Sequence, residues 1–213
     1  MSSRFSPKQL ERYPIYLKLL KEERAKGEIV VSSPKLAAAL GYSEEQIRKD
    51  FQAISTTPGI PKKGRMISYL IEDIESFLGY THPKKAVVIG VGHMGGALMN
   101  FHSFPDMGLT ILAGFDNNPE LIGEEVGGKK IFALDDLQGF TKDNPIDIAV
   151  IAVPSAIAEE VAQKAYACGI RAFWNFAPVM VTLPYDAVIE NVNLASSLAV
   201  LSHKIDRKTS MNQ

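Results

Sequence analysis

The chain has 213 residues, of which 46% are apolar and 22% charged, and its formal net charge at pH 7 is -1. This composition is typical of a folded globular protein and excludes disordered, collagen-like and coiled-coil classes. The longest apolar runs, residues 86–92 and 148–153, are far shorter than the roughly 18 residues of a membrane-spanning helix.

The two ends of the chain differ in charge. Residues 1–65 carry 13 Lys and Arg against 7 Asp and Glu, whereas the remainder is acidic. This asymmetry indicates two units with different partners. A helix-ending Gly79 and a helix-disfavouring Pro83 predict the boundary near residue 82.

The first predicted unit, residues 1–80, reads as a series of helices. Apolar side chains recur at spacings of three and four over residues 7–25 and predict one amphipathic helix. A second helix is predicted from Ser33, as its cap, to the residue before Gly41. Ser43 opens a third helix, and Gln46 completes a capping box with it. Two helices joined by so short a turn indicate a helix-turn-helix, although a plain helical bundle with a solvated polar face has the same pattern.

A wing favours the DNA-binding interpretation. Residues 55–66 are rich in turn residues and carry three basic side chains before the chain becomes apolar again, as in a basic hairpin. A fourth helix over residues 68–78 would close the unit. The side chains expected to contact phosphates or base edges are Ser33, Gln46, Arg48, Lys49, Gln52, Lys62, Lys63 and Arg65.

The second predicted unit, residues 84–193, opens with a dinucleotide motif. A strand over residues 85–89 leads directly into Gly90-Val91-Gly92-His93-Met94-Gly95 and then into a helix. The glycines allow a tight turn and a close approach of the backbone to a pyrophosphate. A second strand, residues 110–115, ends at Asp116, where a carboxylate would bind the adenosine ribose and repel a 2'-phosphate. The motif therefore predicts NAD(H) rather than NADP(H).

Further apolar runs continue the alternation of strands and helices. Strands are predicted over residues 130–132, 147–153, 171–175 and 188–193, with a helix over residues 155–168. The fold class expected is α/β, with a doubly wound, mostly parallel sheet. The four histidines show no metal-ligand spacing, and we expect no metal site.

Ligands bind beyond the carboxyl ends of parallel strands, which places residues 153–154 and 175–178 near the nicotinamide half of the crevice. The prolines there could equally just terminate strands, and His93 could be a solvated loop residue. Met94 and Trp174 fit packing roles. Nothing near the crevice indicates a catalytic acid or base, so we expect no enzyme. The predicted cofactor-binding residues are Gly90, Gly92, His93, Met94, Gly95, Phe101, Asp116, Asn117, Val153, Pro154, Asn175, Phe176 and Pro178.

The order of parts resembles the Rex family of bacterial redox-sensing transcriptional repressors, over nearly the whole chain. The residues that carry the resemblance are 32–33, 47–50, 90–95, 115–116, 122–123, 152–154, 169–170, 175–178 and 191–192. The resemblance implies a winged-helix domain, a Rossmann domain and a C-terminal helix, residues 194–208, that is domain-swapped into a partner. It also implies a homodimer that binds operator DNA when NAD+ dominates and releases it when NADH accumulates.

Several positions depart from the family pattern. The wing keeps its charge but lacks the family's second glycine and its tyrosine, so the operator sequence does not follow from the resemblance. A tyrosine of the first Rossmann helix corresponds to Phe101, and an aspartate before the terminal helix corresponds to Asn193. The family's aspartate meets that tyrosine across the dimer or pairs with an arginine, where this chain has Lys18. Phe101 has no hydroxyl and Asn193 no charge, so we expect weaker discrimination between NADH and NAD+.

Two other functions stay open from the sequence. One is an NAD-dependent oxidoreductase with an added helical domain, and the other is a CoA-binding or nucleotide-binding regulatory module that acts through protein partners. The polar amino terminus carries no secretory signal, and the single cysteine, Cys168, fits a reducing compartment. We therefore expect a cytoplasmic protein without a membrane segment.

Overall fold

The computed structural model describes residues 5–61 and 63–210. The chain divides into two compact units, Met1–His82 and Pro83–Gln213. No helix in the described part of the chain is long and apolar enough to cross a bilayer.

The first unit consists of helices and one small antiparallel sheet. Its elements are α1 (Pro7–Leu10), α2 (Arg12–Ala25), β1 (Val30–Val31), α3 (Ser33–Leu40), α4 (Glu44–Ile54), β2 (Arg65–Met66) and α5 (Ile67–Phe77). Strands β1 and β2 pair antiparallel. Buried aliphatic and aromatic side chains from α2 to α5 form one core, in which Tyr13, Tyr16 and Ile47 are fully buried.

Two local predictions in this unit are wrong. The single helix expected over residues 7–25 is broken at Glu11 into α1 and α2. Pro14 has no N–H to donate to the carbonyl of Leu10, so the helix starts again and places Pro14 in its first turn. The cap of α3 is Ser32, whose hydroxyl accepts from the amide of Lys35, rather than Ser33. Ser32 still follows the extended course of β1 and therefore has the backbone geometry of a cap.

The second unit is a sheet with helices on both faces. Its strands are β3 (Lys84–Ile89), β4 (Leu109–Asp116), β5 (Glu125–Val126), β6 (Lys129–Ala133), β7 (Ile148–Ile151), β8 (Ala172–Asn175) and β9 (Val188–Asn191). Its helices are α6 (His93–Met99), α7 (Leu137–Asp143), α8 (Ser155–Ala167) and α9 (Leu194–Ser210), with short 3-10 turns at Pro105–Met107 and Leu134–Asp136.

The strand order confirms the doubly wound architecture. It runs β5-β6-β4-β3-β7-β8-β9, and all neighbours are parallel except β5 and β6. Counted from β3 and without β5, this is the 3-2-1-4-5-6 order of dinucleotide-binding sheets. Alternate residues of β3 pack on opposite faces, Val87 and Ile89 in one core and Ala86 and Val88 in the other. The chain leaves β3 for β4 on one side and later returns to β7 on the other side of β3. A crevice therefore lies at the carboxyl ends of β3 and β7.

Candidate dinucleotide crevice and DNA-binding surface

The glycine-rich turn after β3 is closely packed at its ends and open in its middle. Gly90 has a φ of +91°, and a Cβ on it would lie 2.6 Å from Val153 Cγ1 and 2.7 Å from the Ala152 carbonyl oxygen. A Cβ on Gly95 would overlap the carbonyl oxygen of Gly90. A Cβ on Gly92 would meet nothing within 4 Å. The first and third glycines therefore let the turn close against β7 and α6, while the second leaves room for a ligand to approach the backbone.

The crevice has a volume of about 200 Å³ and lies at the carboxyl ends of β3, β4 and β7. It brings together six of the predicted cofactor residues, namely Gly90, Gly92, Asp116, Asn117, Val153 and Pro154. Apolar side chains of α8, Ile157 and Val161, form another part of its lining. This combination of apolar walls and few polar groups is typical of a small-molecule site.

Asp116 is bound to the glycine-rich turn. Its Oδ2 accepts from the backbone N–H of Val91 at 2.6 Å, and its Oδ1 accepts from that of Asn118 at 2.8 Å. A carboxylate oxygen has further lone pairs, so both oxygens can still accept from a diol. The carboxylate thus fixes the turn and remains available to a ribose.

The other predicted residues lie outside that crevice. His93 and Met94 are exposed on the first turn of α6, and Gly95 is buried beneath them. Phe101, just after α6, is 47% exposed. Phe176 and Pro178 line a second cavity of about 330 Å³.

Asn175 is a correction to the predicted site. Its side chain is 1% exposed, and its Nδ2 donates to the carbonyl of Val179 at 2.7 Å and to Asn191 Oδ1 at 2.8 Å. Its Oδ1 accepts from the backbone N–H of Ala177 at 3.0 Å. The carboxamide is therefore buried and holds the loop after β8, so it does not face a ligand-accessible surface.

A row of aromatic rings that the sequence analysis missed connects these regions. The ring centroids of Phe101 and Phe104 are 4.7 Å apart, those of Phe104 and Trp174 5.7 Å, and those of Trp174 and Phe176 4.8 Å. Trp174 thus has the packing role expected of it. The row runs from the end of α6 to the second cavity.

Helix α9 starts at that second cavity. Oδ1 of Asn193 accepts from the backbone N–H of Ser196 at 3.0 Å and caps the helix, and Asn193 lines the cavity. Four aliphatic side chains at spacings of four, three and four are each more than half exposed, namely Leu194, Leu198, Leu201 and Ile205. They form one stripe along the helix.

In the first unit, α3 and α4 form the predicted helix-turn-helix. Gly41 ends α3 in the left-handed conformation, and the hydroxyl of Ser43 accepts from the amide of Gln46 at 3.2 Å to cap α4. Arg48, Lys49 and Gln52 are exposed on α4. The Nζ of Lys49 lies 2.7 Å from Glu45, which lowers the pKa of that carboxyl. Ser33 is half-buried in the first turn of α3.

The predicted wing is a hairpin closed by a bridge between Ile60 and Gly64. Gly64 has a φ of +109°, and a Cβ there would overlap the carbonyl oxygen of Val31. Lys63 is exposed, whereas Arg65 is half-buried and its Nη1 donates to the carbonyl of Thr57 at 2.8 Å. Arg65 therefore braces the wing. Lys62 lies outside the described residues.

A buried ionic cluster beneath α4 was not predicted from the sequence. Asp50 is 2% exposed and accepts from Arg12 and from the hydroxyl of Tyr16, the latter at 2.8 Å. The hydroxyl of Tyr13 donates to the Asp50 carbonyl at 2.9 Å. Asp50 raises the pKa of Arg12, and burial together with Asp50 raises the pKa of Tyr16. The signal in the sequence was a charged residue within the apolar stripe that includes Ile47.

Known protein families match each of the two units. A family described as "CoA binding domain" matches residues 81–179, and one described as "Putative DNA-binding protein N-terminus" matches residues 6–52. The redox-sensing transcriptional repressor Rex of Treponema denticola is 36% identical over 199 residues, which cover 93% of this chain and 94% of that protein. The chain belongs to the Rex family. The Rex protein of Bacteroides fragilis is also 36% identical, over 92% of this chain and 89% of that one.

A solved Rex-family structure matches the whole fold. The structure of RSP in complex with β-NAD+ and operator DNA has a TM-score of 0.89 at 27% identity and covers 99% of this chain and 97% of that one. The complex of RSP with β-NADH has a TM-score of 0.88. The curated Rex proteins are named as transcriptional repressors, which favours regulation over the oxidoreductase alternative.

Proposed function

We propose that this Rex-family chain is a repressor that binds operator DNA through the unit Met1–His82 and NAD(H) in the crevice beside Gly90. NADH binding releases the DNA, so the protein reports the NADH/NAD+ ratio. The observation that carries this proposal is the presence, in one chain, of a winged helix-turn-helix and a glycine-rich crevice at the switch point of a dinucleotide-type sheet.

The crevice fits NAD(H) better than NADP(H). Asp116 keeps lone pairs for a ribose diol, and its negative charge would repel a 2'-phosphate. It is also the one ionisable side chain among the described residues that line this crevice. Without a second group to move a proton, we expect the bound nucleotide to act as an effector rather than as a hydride donor in turnover.

The exposed face of α4 supplies the DNA contacts. Arg48 and Gln52 face solvent, and the exposed pair between Lys49 and Glu45 is of the kind that contributes little to stability. A DNA phosphate can therefore replace Glu45 as the partner of Lys49. Lys63 extends the basic surface to the wing.

We expect the protein to be a homodimer that covers α9. A single helix with a stripe of four large aliphatic side chains in water exposes an apolar surface that a second copy can bury. The aliphatic spacing is that of a helix-helix seam. Swapping of this helix between protomers, as the family resemblance implies, would cover it. A cytoplasmic location follows from action on DNA.

The redox response is expected to be shallower than in family members with tyrosine and aspartate at these positions. Asn193 keeps the cap of α9 but brings no charge, and Phe101 brings no hydroxyl. A ligand shifts a two-state equilibrium only by its differential affinity for the states. Losing one charge-assisted contact of one state, about 1.5–3 kcal/mol, would reduce the NADH/NAD+ discrimination by roughly 10-fold or more.

The deciding experiment is fluorescence anisotropy with a labelled palindromic duplex, without nucleotide, with NAD+ and with NADH. We expect binding that weakens steeply with salt and is released by NADH at lower concentrations than by NAD+. Release by coenzyme A alone would favour the CoA-binding alternative, and turnover of a hydroxy or carbonyl substrate would favour the oxidoreductase. The cause of the shallower response is tested with a Phe101→Tyr, Asn193→Asp variant. If NADH and NAD+ release DNA from the wild type equally well, but NADH does so at lower concentrations in the variant, these two positions are the cause.

A further inference from the structure

One side chain of α2, Arg12, contacts two side chains of α4. Arg12 donates from Nε and Nη2 to Oδ2 and Oδ1 of Asp50, at 2.7 and 2.8 Å. Its Nη1 donates to the carbonyl oxygen of Lys8 at 2.9 Å. One end of the side-chain amide of Gln46 lies 3.0 Å from both Nε and Nη1. Gln46 and Asp50 are one turn apart on α4, so a single guanidinium reaches both.

The chemistry of the guanidinium fixes the orientation of Gln46. A guanidinium only donates hydrogen bonds, so the end of the amide that faces Arg12 is the oxygen. The NH2 group is then the end of Gln46 that Arg12 leaves unbound. Arg12 is itself mostly buried and held by the Asp50 carboxylate, so it has little freedom to release the oxygen.

We propose that Arg12 is a positioning residue for sequence readout, which holds the Gln46 oxygen so that Gln46 meets DNA as a hydrogen-bond donor alone. This inference rests on the proposed function, because it requires that α4 enters the major groove. An unrestrained glutamine reads adenine in two bonds, accepting from N6 and donating to N7. With its oxygen end turned towards Arg12, Gln46 presents only its NH2 group to the groove, and guanine presents two acceptors, N7 and O6. Gln46 should therefore prefer guanine over adenine.

The test starts from duplexes that the wild-type chain selects from a pool with a randomised centre. Each base pair of a selected duplex is then varied, and the relative affinities are measured by anisotropy for the wild type and for Gln46→Ala. The base pair at which Gln46→Ala loses discrimination is the one that Gln46 contacts. We expect guanine there, preferred over adenine by about 10-fold in the wild type.

The Arg12→Lys variant tests the orientation of the Gln46 amide while it keeps a positive charge in the fold. Lysine keeps a positive charge beside Asp50, but its ammonium group cannot contact both Asp50 and Gln46 as the planar guanidinium of Arg12 does. The guanine preference should shift towards adenine by about 10-fold at that base pair. The matched control is Lys21→Met, which removes the 2.7 Å ion pair between Lys21 of α2 and Glu75 of α5 and should leave base preference unchanged.

Several results would overturn the proposal. They are a wild-type preference for adenine at this base pair, no base pair that depends on Gln46, and an Arg12→Lys variant that weakens binding to all four bases equally. If Arg12→Lys does not fold by circular dichroism, Gln46→Glu decides. Its carboxylate still accepts from Arg12 and offers an oxygen to the groove, so the preference should move to cytosine. An unchanged guanine preference would reject the positioning role of Arg12. Failure of the wild type to bind any duplex would reject the proposed function and, with it, the positioning role of Arg12.

Discussion

Gly92→Ala should weaken nucleotide binding without weakening the fold. Gly92 has a φ of -69°, which alanine adopts readily, and its Cβ would meet nothing within 4 Å. Replacing a glycine at such a position restricts the unfolded chain and stabilises by about 0.4–1 kcal/mol, whereas alanine is a clearly poorer helix N-cap than glycine. The two effects nearly cancel, so we expect a change in the free energy of unfolding within about 0.5 kcal/mol.

The effect on nucleotide affinity is expected to be much larger. Gly92 lines the crevice, and the open space beside it is where the backbone can approach a pyrophosphate. A methyl group forced against a bound ligand costs about 1–3 kcal/mol, which corresponds to a loss of roughly 5- to 150-fold in NADH affinity. Gly95→Ala differs because its Cβ would overlap the Gly90 carbonyl, and it should destabilise the domain itself.

The matched control is Gly96→Ala, which adds the same methyl one turn along the same helix. Its Cβ also meets nothing within 4 Å, and Gly96 does not line the crevice. We expect it to stabilise by about 0.5–1 kcal/mol and to keep the wild-type NADH affinity. Unfolding would be followed in urea and NADH binding by calorimetry. Wild-type NADH affinity in Gly92→Ala, at unchanged stability, would show that the dinucleotide does not lie against this turn.

Two further predictions concern the DNA-binding unit. Gly64→Ala should abolish operator binding and lower the free energy of unfolding of this unit by more than about 2 kcal/mol. Its Cβ would overlap the Val31 carbonyl oxygen at a φ of +109°. The control is an NADH titration, in which we expect the affinity to be retained. Lys26 and Lys35 hold the pKa of Glu23 below its usual value of 4.5, so Glu23 stabilises the fold above pH 4.5 and the contribution is lost as the pH falls through the lowered pKa. Glu23→Gln should therefore reduce the drop in thermal midpoint between pH 7 and pH 3, and an unchanged drop would show that Glu23 is not part of the acid response.

The Rossmann unit could be predicted from the sequence because its signals are local. The central strands β3 and β7 are short apolar runs with side chains in the cores on both faces of the sheet, and the glycine-rich turn follows β3 directly. The hairpin of β5 and β6 was missed in part, because β5 is only two residues long and carries no apolar run. Asn175 was misassigned for a different reason. Its position at a strand end is that of a ligand-binding residue, and only the fold shows that its carboxamide is buried and bonded to the Val179 carbonyl, the Ala177 N–H and the Asn191 side chain.

In the winged-helix unit, one side-chain contact predicted from neighbouring residues is absent. The capping box predicts that the side chain of Gln46 reaches back to the start of α4, and the Ser43 half of that box is present. The Gln46 amide faces Arg12 instead. A charge-assisted hydrogen bond is roughly twice as strong as a neutral one, so a guanidinium held in place by Asp50 outcompetes a neutral backbone N–H.

This competition limits what a sequence says about recognition. The exposed positions of α4 follow from its helical period, and they indicate which side chains can reach DNA. Which atoms of those side chains face DNA depends on partners elsewhere in the chain, and a glutamine whose oxygen end is turned to a partner presents a different hydrogen-bond pattern from a free one. Arg12 lies on another helix and forms no motif with Gln46, so only the packing of α2 against α4 reveals the pair. Base preference in this unit is therefore a property of the buried Arg12–Asp50 cluster as much as of the exposed helix face.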